Sequence, residues 1–244
     1  MKARLAILVV CGVLSAADRA AADEDDLAVD ANIVTGIDFS RSIDAQESEL
    51  QIYGMIQAIR SPEVLRAIEN GPHGRIGFAV FLWASGAYPE LVSWRVIGSP
   101  QDAEQASTEM LLRLQLILDT SGRHSIGSLT NVSGAMAHGG EMLADSPYAS
   151  KRAIMNIVGN GTDNVGESPR WKRDALVARG ITINGVVIGG DRKIAEYYRQ
   201  QVIGGPTAFV LAADRPDEMV EAFTAKFVSE ITLDVRTKLS ADPM

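Results

Sequence analysis

Short, almost uninterrupted apolar runs alternate with longer stretches of helical period along this 244-residue chain. That alternation constrains the fold more than any other feature. The runs Ala31–Asp38, Arg75–Trp83, Glu90–Ile97, Arg152–Val158, Ile181–Ile188 and Ala208–Leu211 have the length and continuity of strands buried on both faces. The first helix shows Ile52, Met55, Ile56 and Ile59 on one side, behind a capping box Asp44-Ala-Gln-Glu47. Ser99-Pro100 opens a second helix, with Ala103, Ala106, Met110, Leu114 and Ile117 on one face. An Ala/Met-rich helix covers Asn131 to Leu143, and Ser168-Pro169 opens one that Gly180 closes. Ile194 to Val202 reads as another helix, and Met219, Phe223, Phe227 and Ile231 mark the last. The second and third strands are close enough in sequence to form an antiparallel hairpin at a sheet edge. The pattern predicts one α/β domain with a doubly wound, mostly parallel central sheet, one antiparallel edge strand and helices on both faces. Such sheets bind ligands at the carboxyl ends of their strands, so the loops after Asp38 and Val158 are where function is expected.

The first 22 residues stand apart from that pattern. Lys2 and Arg4 precede the apolar run Leu5–Leu14, and Ser15-Ala-Ala17 and Ala20-Ala-Ala22 offer small-residue cleavage sites. This is the grammar of a secretory signal, and it predicts a periplasmic or secreted protein. No later stretch is apolar for long enough to predict a membrane span in the mature chain. The expected organisation is signal peptide 1–22, acidic linker 23–29, domain 30–235 and a C-terminal tail 236–244. Removing the signal leaves 20 basic and 30 acidic residues and takes away the single cysteine, Cys11. A net charge of −10 argues against nucleic acid as a partner. The absence of cysteine rules out disulfides and thiolate metal sites.

The loop after the first strand reads Asp38-Phe-Ser40-Arg-Ser42. Oxygen side chains at alternate positions of a tight turn can converge on one point. Carboxylate and hydroxyl oxygens suit a hard cation such as Mg2+ or Mn2+. These residues resemble the von Willebrand factor type A domain and its metal-ion-dependent adhesion site. The resemblance implies a threonine from a second loop and an aspartate from a third. Thr130, just before a small-residue helix, fits the second; the third reads Val158-Gly-Asn160-Gly161, with Asn160 in place of the aspartate. An amide oxygen can orient a metal-bound water but adds no charge, so the departure weakens metal binding. It also leaves a bound metal more attractive to an acidic group. Asp163 either supplies the missing carboxylate through water or shapes the turn.

Within that superfamily, Asp38–Glu47, the Gly-x-Gly of the third loop, Tyr197–Pro206 and Ala208–Val210 look like a proteobacterial family known as domain of unknown function 1194. The likeness implies an exported type A domain and no substrate. The site implied is Asp38, Ser40, Ser42, Thr130 and Asn160 around Mg2+ or Mn2+, completed by an acidic side chain of a partner protein. Plainer uses of the same residues are helix caps at Ser42, Asp44 and Thr130. A metal-independent interaction scaffold is the alternative function, and a metal-assisted hydrolase a distant one. Catalytic motifs are missing from the expected places: Gly36-Ile-Asp-Phe-Ser40 is no nucleophile elbow, and no P-loop or dinucleotide fingerprint follows the first strand. His73, His124 and His138 lack metal-ligand spacing and read as structural or solvated.

Overall fold

The computed structural model describes residues 27–120 and 126–241. The strands are β1 (Asn32–Asp38), β2 (Ile76–Trp83), β3 (Glu90–Ile97), β4 (Ala153–Gly159), β5 (Ile181–Ile188) and β6 (Val210–Ala213). They form one six-stranded sheet in the order β3-β2-β1-β4-β5-β6. All pairings are parallel except β2–β3, which is antiparallel at the edge, as the hairpin reading expected. Every residue of β1 and β2 is buried, which is why these runs are apolar without alternation.

The helices are α1 (Ala45–Ile59), α2 (Pro62–Glu69), α3 (Pro100–Thr120), α4 (Val132–Ala144), α5 (Pro169–Val177), α6 (Arg192–Tyr197) and α7 (Pro216–Ala241). They divide between two cores. On one face of the sheet, Ile33 and Ile37 of β1 pack with Met55 of α1, Ile68 of α2, Met110 of α3 and Phe223 and Phe227 of α7. On the other, Val34 packs with Ala135 and Met136 of α4, Leu176 of α5 and Tyr198. The chain therefore has the doubly wound architecture expected of it.

Three details differ from the sequence reading. Helix α2 was not foreseen, although Ser61 caps it and Pro62 stands at its first position. The expected helix 194–202 is α6 followed by a π-helical turn, Tyr198–Val202. The last strand begins at Val210 rather than Ala208, because Gly205 and Thr207 both adopt positive φ and hold the chain in a turn. The expected signal peptide and His124 lie outside the described residues. Among the described residues, no helix is long and apolar enough to cross a membrane.

The strand order places β1 between β2 and β4, with the chain winding outward in both directions from that point. The crevice between the carboxyl ends of β1 and β4 is where a doubly wound sheet offers a ligand site. It receives the loops 39–44 and 160–168.

Candidate metal centre

Asp38 is the last residue of β1 and is fully buried. Its Oδ1 accepts the backbone N–H of Ser40 at 2.8 Å, closing a tight turn that brings the next side chains round to the same side. Ser40 Oγ lies 3.0 Å from Ser42 Oγ, and Ser42 donates its proton to Asn160 Oδ1 at 2.9 Å. Asp44, not Ser42, caps α1, in a reciprocal capping box with Glu47. Ser42 is thus free of the plainer role. The hydroxyl protons of both serines have protein acceptors, which leaves oxygen lone pairs for a cation.

The second loop is tied to the first by Arg41 N–H donating to Ser128 O at 3.2 Å. Thr130 is buried, and its Oγ1 lies 3.5 Å from where a Cβ on Gly161 would stand, so it faces the third loop. Asn131, not Thr130, caps α4. Reciprocal bonds fix the two loops together: Thr130 N–H donates to Asn164 Oδ1 at 2.9 Å, and Asn164 N–H to Thr130 O at 3.0 Å. Asp163 turns to α4, where its Oδ1 accepts Val132 N–H at 2.5 Å. Burial raises its pKa, while backbone donors at Val132 and Ser133 lower it. Asp163 is thereby tied to the start of α4.

Asn160 bridges the first and third loops. Its Nδ2 donates to Ser42 O at 3.2 Å and reaches both oxygens of Glu47, at 3.2 and 3.3 Å. One hydrogen-bonded chain therefore links Asp38, Ser40, Ser42, Asn160 and Glu47. Glu47 was foreseen only as a cap, because its contact with Asn160 spans 113 positions of sequence.

The electrostatics of Asp38 are unusual for a carboxyl. Burial raises its pKa to about 6, against hydrogen bonds from the Ser40 backbone and side chain, with the Asn160 N–H also helping the ionised form and the Glu47 charge opposing it. The Asn160 N–H acts at a distance, for Asp38 Oδ2 has no hydrogen bond of normal geometry. Two further buried polar atoms without partners lie nearby, Tyr198 Oη and Trp83 Nε1. A Cβ on Gly159 would sit 2.8 Å from Tyr198 Oη, 3.0 Å from Asp38 Oδ2 and 3.1 Å from Trp83 Cζ2. In the sequence Tyr198 belongs to the Tyr197–Pro206 segment that carries the family likeness, and Trp83 only ends a strand; neither is read there as part of the site. Gly159→Ala is expected to force these side chains apart at a cost of about 1–3 kcal/mol. Thermal denaturation measures that loss, and an unchanged melting temperature would mean that the crevice is looser than these distances.

Among the described residues no group of three His, Cys, Asp or Glu side chains could hold a metal. A cation here would depend on hydroxyl oxygens as much as on carboxylates. His138 stacks on Tyr88 with ring centroids 4.9 Å apart, and burial lowers its pKa.

A family model described as a protein of unknown function (DUF1194) matches residues 28–235. No curated protein matches the sequence. Among solved structures, the fold is similar to that of a von Willebrand factor type A protein from Catenulispora acidiphila, with a TM-score of 0.54 and 13% identity over 83% of this chain and 43% of that one. It is similar to proximal thread matrix protein 1 from the mussel byssus, in a form with a zinc-occupied metal-ion-dependent adhesion site (TM-score 0.53, 18% identity, 84% of this chain and 48% of that one). It is also similar to the manganese-loaded TRAP protein of Plasmodium vivax, with a TM-score of 0.51 and 16% identity over 82% of this chain and 73% of that one. The chain spans less than half the length of the first two. At such identities the likeness establishes the fold, which is that of a von Willebrand factor type A domain, and leaves function to the site itself.

Proposed function

The chain belongs to the DUF1194 family of proteins of unknown function, and from that premise we propose that it is an exported type A module that binds a divalent cation and, through it, an acidic side chain of a partner protein. The residues that would hold the cation are Asp38, Ser40, Ser42, Thr130 and Asn160. The observation that carries this reading is the fully buried Asp38, with Oδ2 unpartnered, at the head of a chain of oxygen side chains in the crevice between β1 and β4. A buried carboxylate oxygen without a partner is costly in any protein, and a cation or its water offsets that cost. The donors are all oxygens, as Mg2+ and Mn2+ prefer.

When bound, such a cation supplies concentrated positive charge and an open position for a carboxylate. The chain's own residues do the rest. Asp38 provides negative charge at the floor of the crevice. Ser40 and Ser42 are hydrogen-bonded to each other and to Asn160, which leaves oxygen lone pairs for the cation. Thr130 holds the second loop against Gly161. Asn160 joins the first and third loops without adding charge, so a partner's carboxylate meets less repulsion than an aspartate there would create. The charged, apolar and small-residue order of residues 2–22 supports export. The role proposed is one of binding. A byssal matrix protein of the same fold carries zinc at its adhesion motif, which supports the cation without fixing its identity here.

Calorimetric titration of Mg2+ and Mn2+ into the purified protein tests the reading. One saturable site is expected, together with a higher melting temperature; saturation at a hundred times the dissociation constant stabilises by about 2.7 kcal/mol. Below the Asp38 pKa of about 6, a cation must displace a proton. The affinity should therefore fall by about tenfold per pH unit on acidification beyond that point. No heat and no melting shift with either ion at millimolar concentration would overturn the cation and leave the metal-independent scaffold, which the amide bonds of Asn160 within the protein favour.

A further inference from the structure

The site as read from the motif has one carboxylate, and a single negative charge is sparse for a divalent cation. The fold brings a second carboxylate to it. Glu47 stands in the first turn of α1, where its Oε2 accepts the Asp44 backbone N–H at 2.9 Å and its own N–H donates to Asp44 Oδ1 at 2.8 Å. Those two bonds leave the side chain little freedom. Asn160 Nδ2 then binds both carboxylate oxygens while its Oδ1 accepts from Ser42. The hydrogen-bonded chain from Asp38 therefore ends on a charge.

We infer that Glu47, held in place by the Asn160 amide, supplies the second negative charge of the cation site, in the role the type A motif gives to an aspartate at position 160. This rests on the cation reading proposed above. Two observations carry it. Glu47 is the carboxylate that touches Asn160, whereas Asp163 is spent on the start of α4. The unpartnered, fully buried Asp38 Oδ2 independently marks the crevice as built for something more than the protein's own groups. The Asn160 amide nitrogen sits among Ser42 O and the two Glu47 oxygens, all within 3.3 Å. An aspartate at 160 would instead put two carboxylates against each other.

Glutamine at the third helical position completes a capping box as glutamate does, so Glu47→Gln removes the charge and keeps the cap. Mn2+ titration at pH 7.5 is expected to show binding weakened ten- to a hundredfold in Glu47→Gln, the range seen when groups that support metal ligands are lost. Its metal-free melting temperature should stay within a few degrees of the unmodified protein. Adding Asn160→Asp to Glu47→Gln restores a carboxylate next to the same point and should recover most of the affinity. Asn160→Asp alone should lower the metal-free melting temperature, and should not do so in the Glu47→Gln background. If Glu47→Gln binds Mn2+ within twofold of the unmodified protein, the inference is overturned and the cation reading stands. If the unmodified protein takes no Mn2+, the cation reading fails and this inference with it. Equal destabilisation by Asn160→Asp in both backgrounds would overturn the pairing of Asn160 with Glu47, whatever the metal does.

Discussion

Replacing Asp38 by asparagine is expected to raise the melting temperature of the metal-free protein at pH 7.5 while abolishing its response to Mn2+. The two effects have opposite signs, and together they separate a ligand from a structural carboxyl. Burial moves the Asp38 pKa from its ordinary 3.8 to about 6. That difference corresponds to ~3 kcal/mol of penalty on the ionised form. The folded pKa lies above the unfolded one, so the neutral carboxyl favours folding fully below pH ~4, and this contribution is lost as pH rises through about 6. At pH 7.5 the metal-free protein carries the whole penalty. Asparagine removes the charge and keeps an oxygen for the Ser40 N–H, which Asp38 binds at 2.8 Å. Allowing about 1 kcal/mol for the charged hydrogen bonding that is lost, the net gain is about 2 kcal/mol. In a domain of this size that is a rise of roughly 4–8 °C. Calorimetry in chelator at pH 7.5 and pH 4 reads it, and the difference between the two proteins should shrink at the lower pH. A lower melting temperature for Asp38→Asn at pH 7.5 would show that the buried charge is already compensated within the protein, and the case for a cation would lose its main support.

The order of elements was legible because both-face burial leaves a distinctive mark. Runs such as Ile76–Trp83 are apolar at every position, and in the structure every position is buried. Helix α2 was missed because eight residues give too little periodicity to count, even with Ser61-Pro62 as a start signal. Local chemistry at the site was equally readable: Asp38, Ser40 and Ser42 lie within five residues, and the Asp44–Glu47 box predicted its own geometry. What escaped were partnerships made by folding. Glu47 meets Asn160 across 113 positions, and Gly159 is caught between Asp38, Trp83 and Tyr198 from three other segments. A glycine beside an asparagine reads as a flexible turn in sequence. In the structure it is a position with no room for a methyl group.

The largest loss of stability is expected far from the metal centre, from Glu230→Ala. On the α7 side of the sheet a polar seam crosses an otherwise apolar core: Asn156 Nδ2 donates to Thr35 Oγ1 at 3.2 Å, and the next strand offers Asn184 to Glu230 at 2.5 Å. Lys226 Nζ lies 2.8 Å from Glu230 Oε1, one helical turn away, and neither side chain is more than 1% exposed. Arg152 fixes the same part of α7 by donating to the carbonyls of Glu230 and Ile231. Burial lowers the Lys226 pKa and the Glu230 charge pulls it back up. Without Glu230, the ammonium keeps only its contact with the Phe227 ring, 4.7 Å from the centroid, against its desolvation. A broken buried pair costs about 3–5 kcal/mol, because the remaining charge is left without a counterpart. The melting temperature should fall by roughly 6–20 °C at pH 7.5. The folded pKa of Lys226 lies below its ordinary value of 10.5, so the loss should lessen as pH rises past 10.5 and the amine becomes neutral in both states. Adding Lys226→Met to Glu230→Ala removes the stranded charge and should recover most of the stability, which a role confined to packing would not predict. Mn2+ affinity of the folded variant should match that of the unmodified protein. The pair anchors α7 to β5, whereas the cation site is built from the loops at the carboxyl ends of β1 and β4. A parallel loss of Mn2+ binding in the folded variant would mean instead that α7 and the crevice move as one unit.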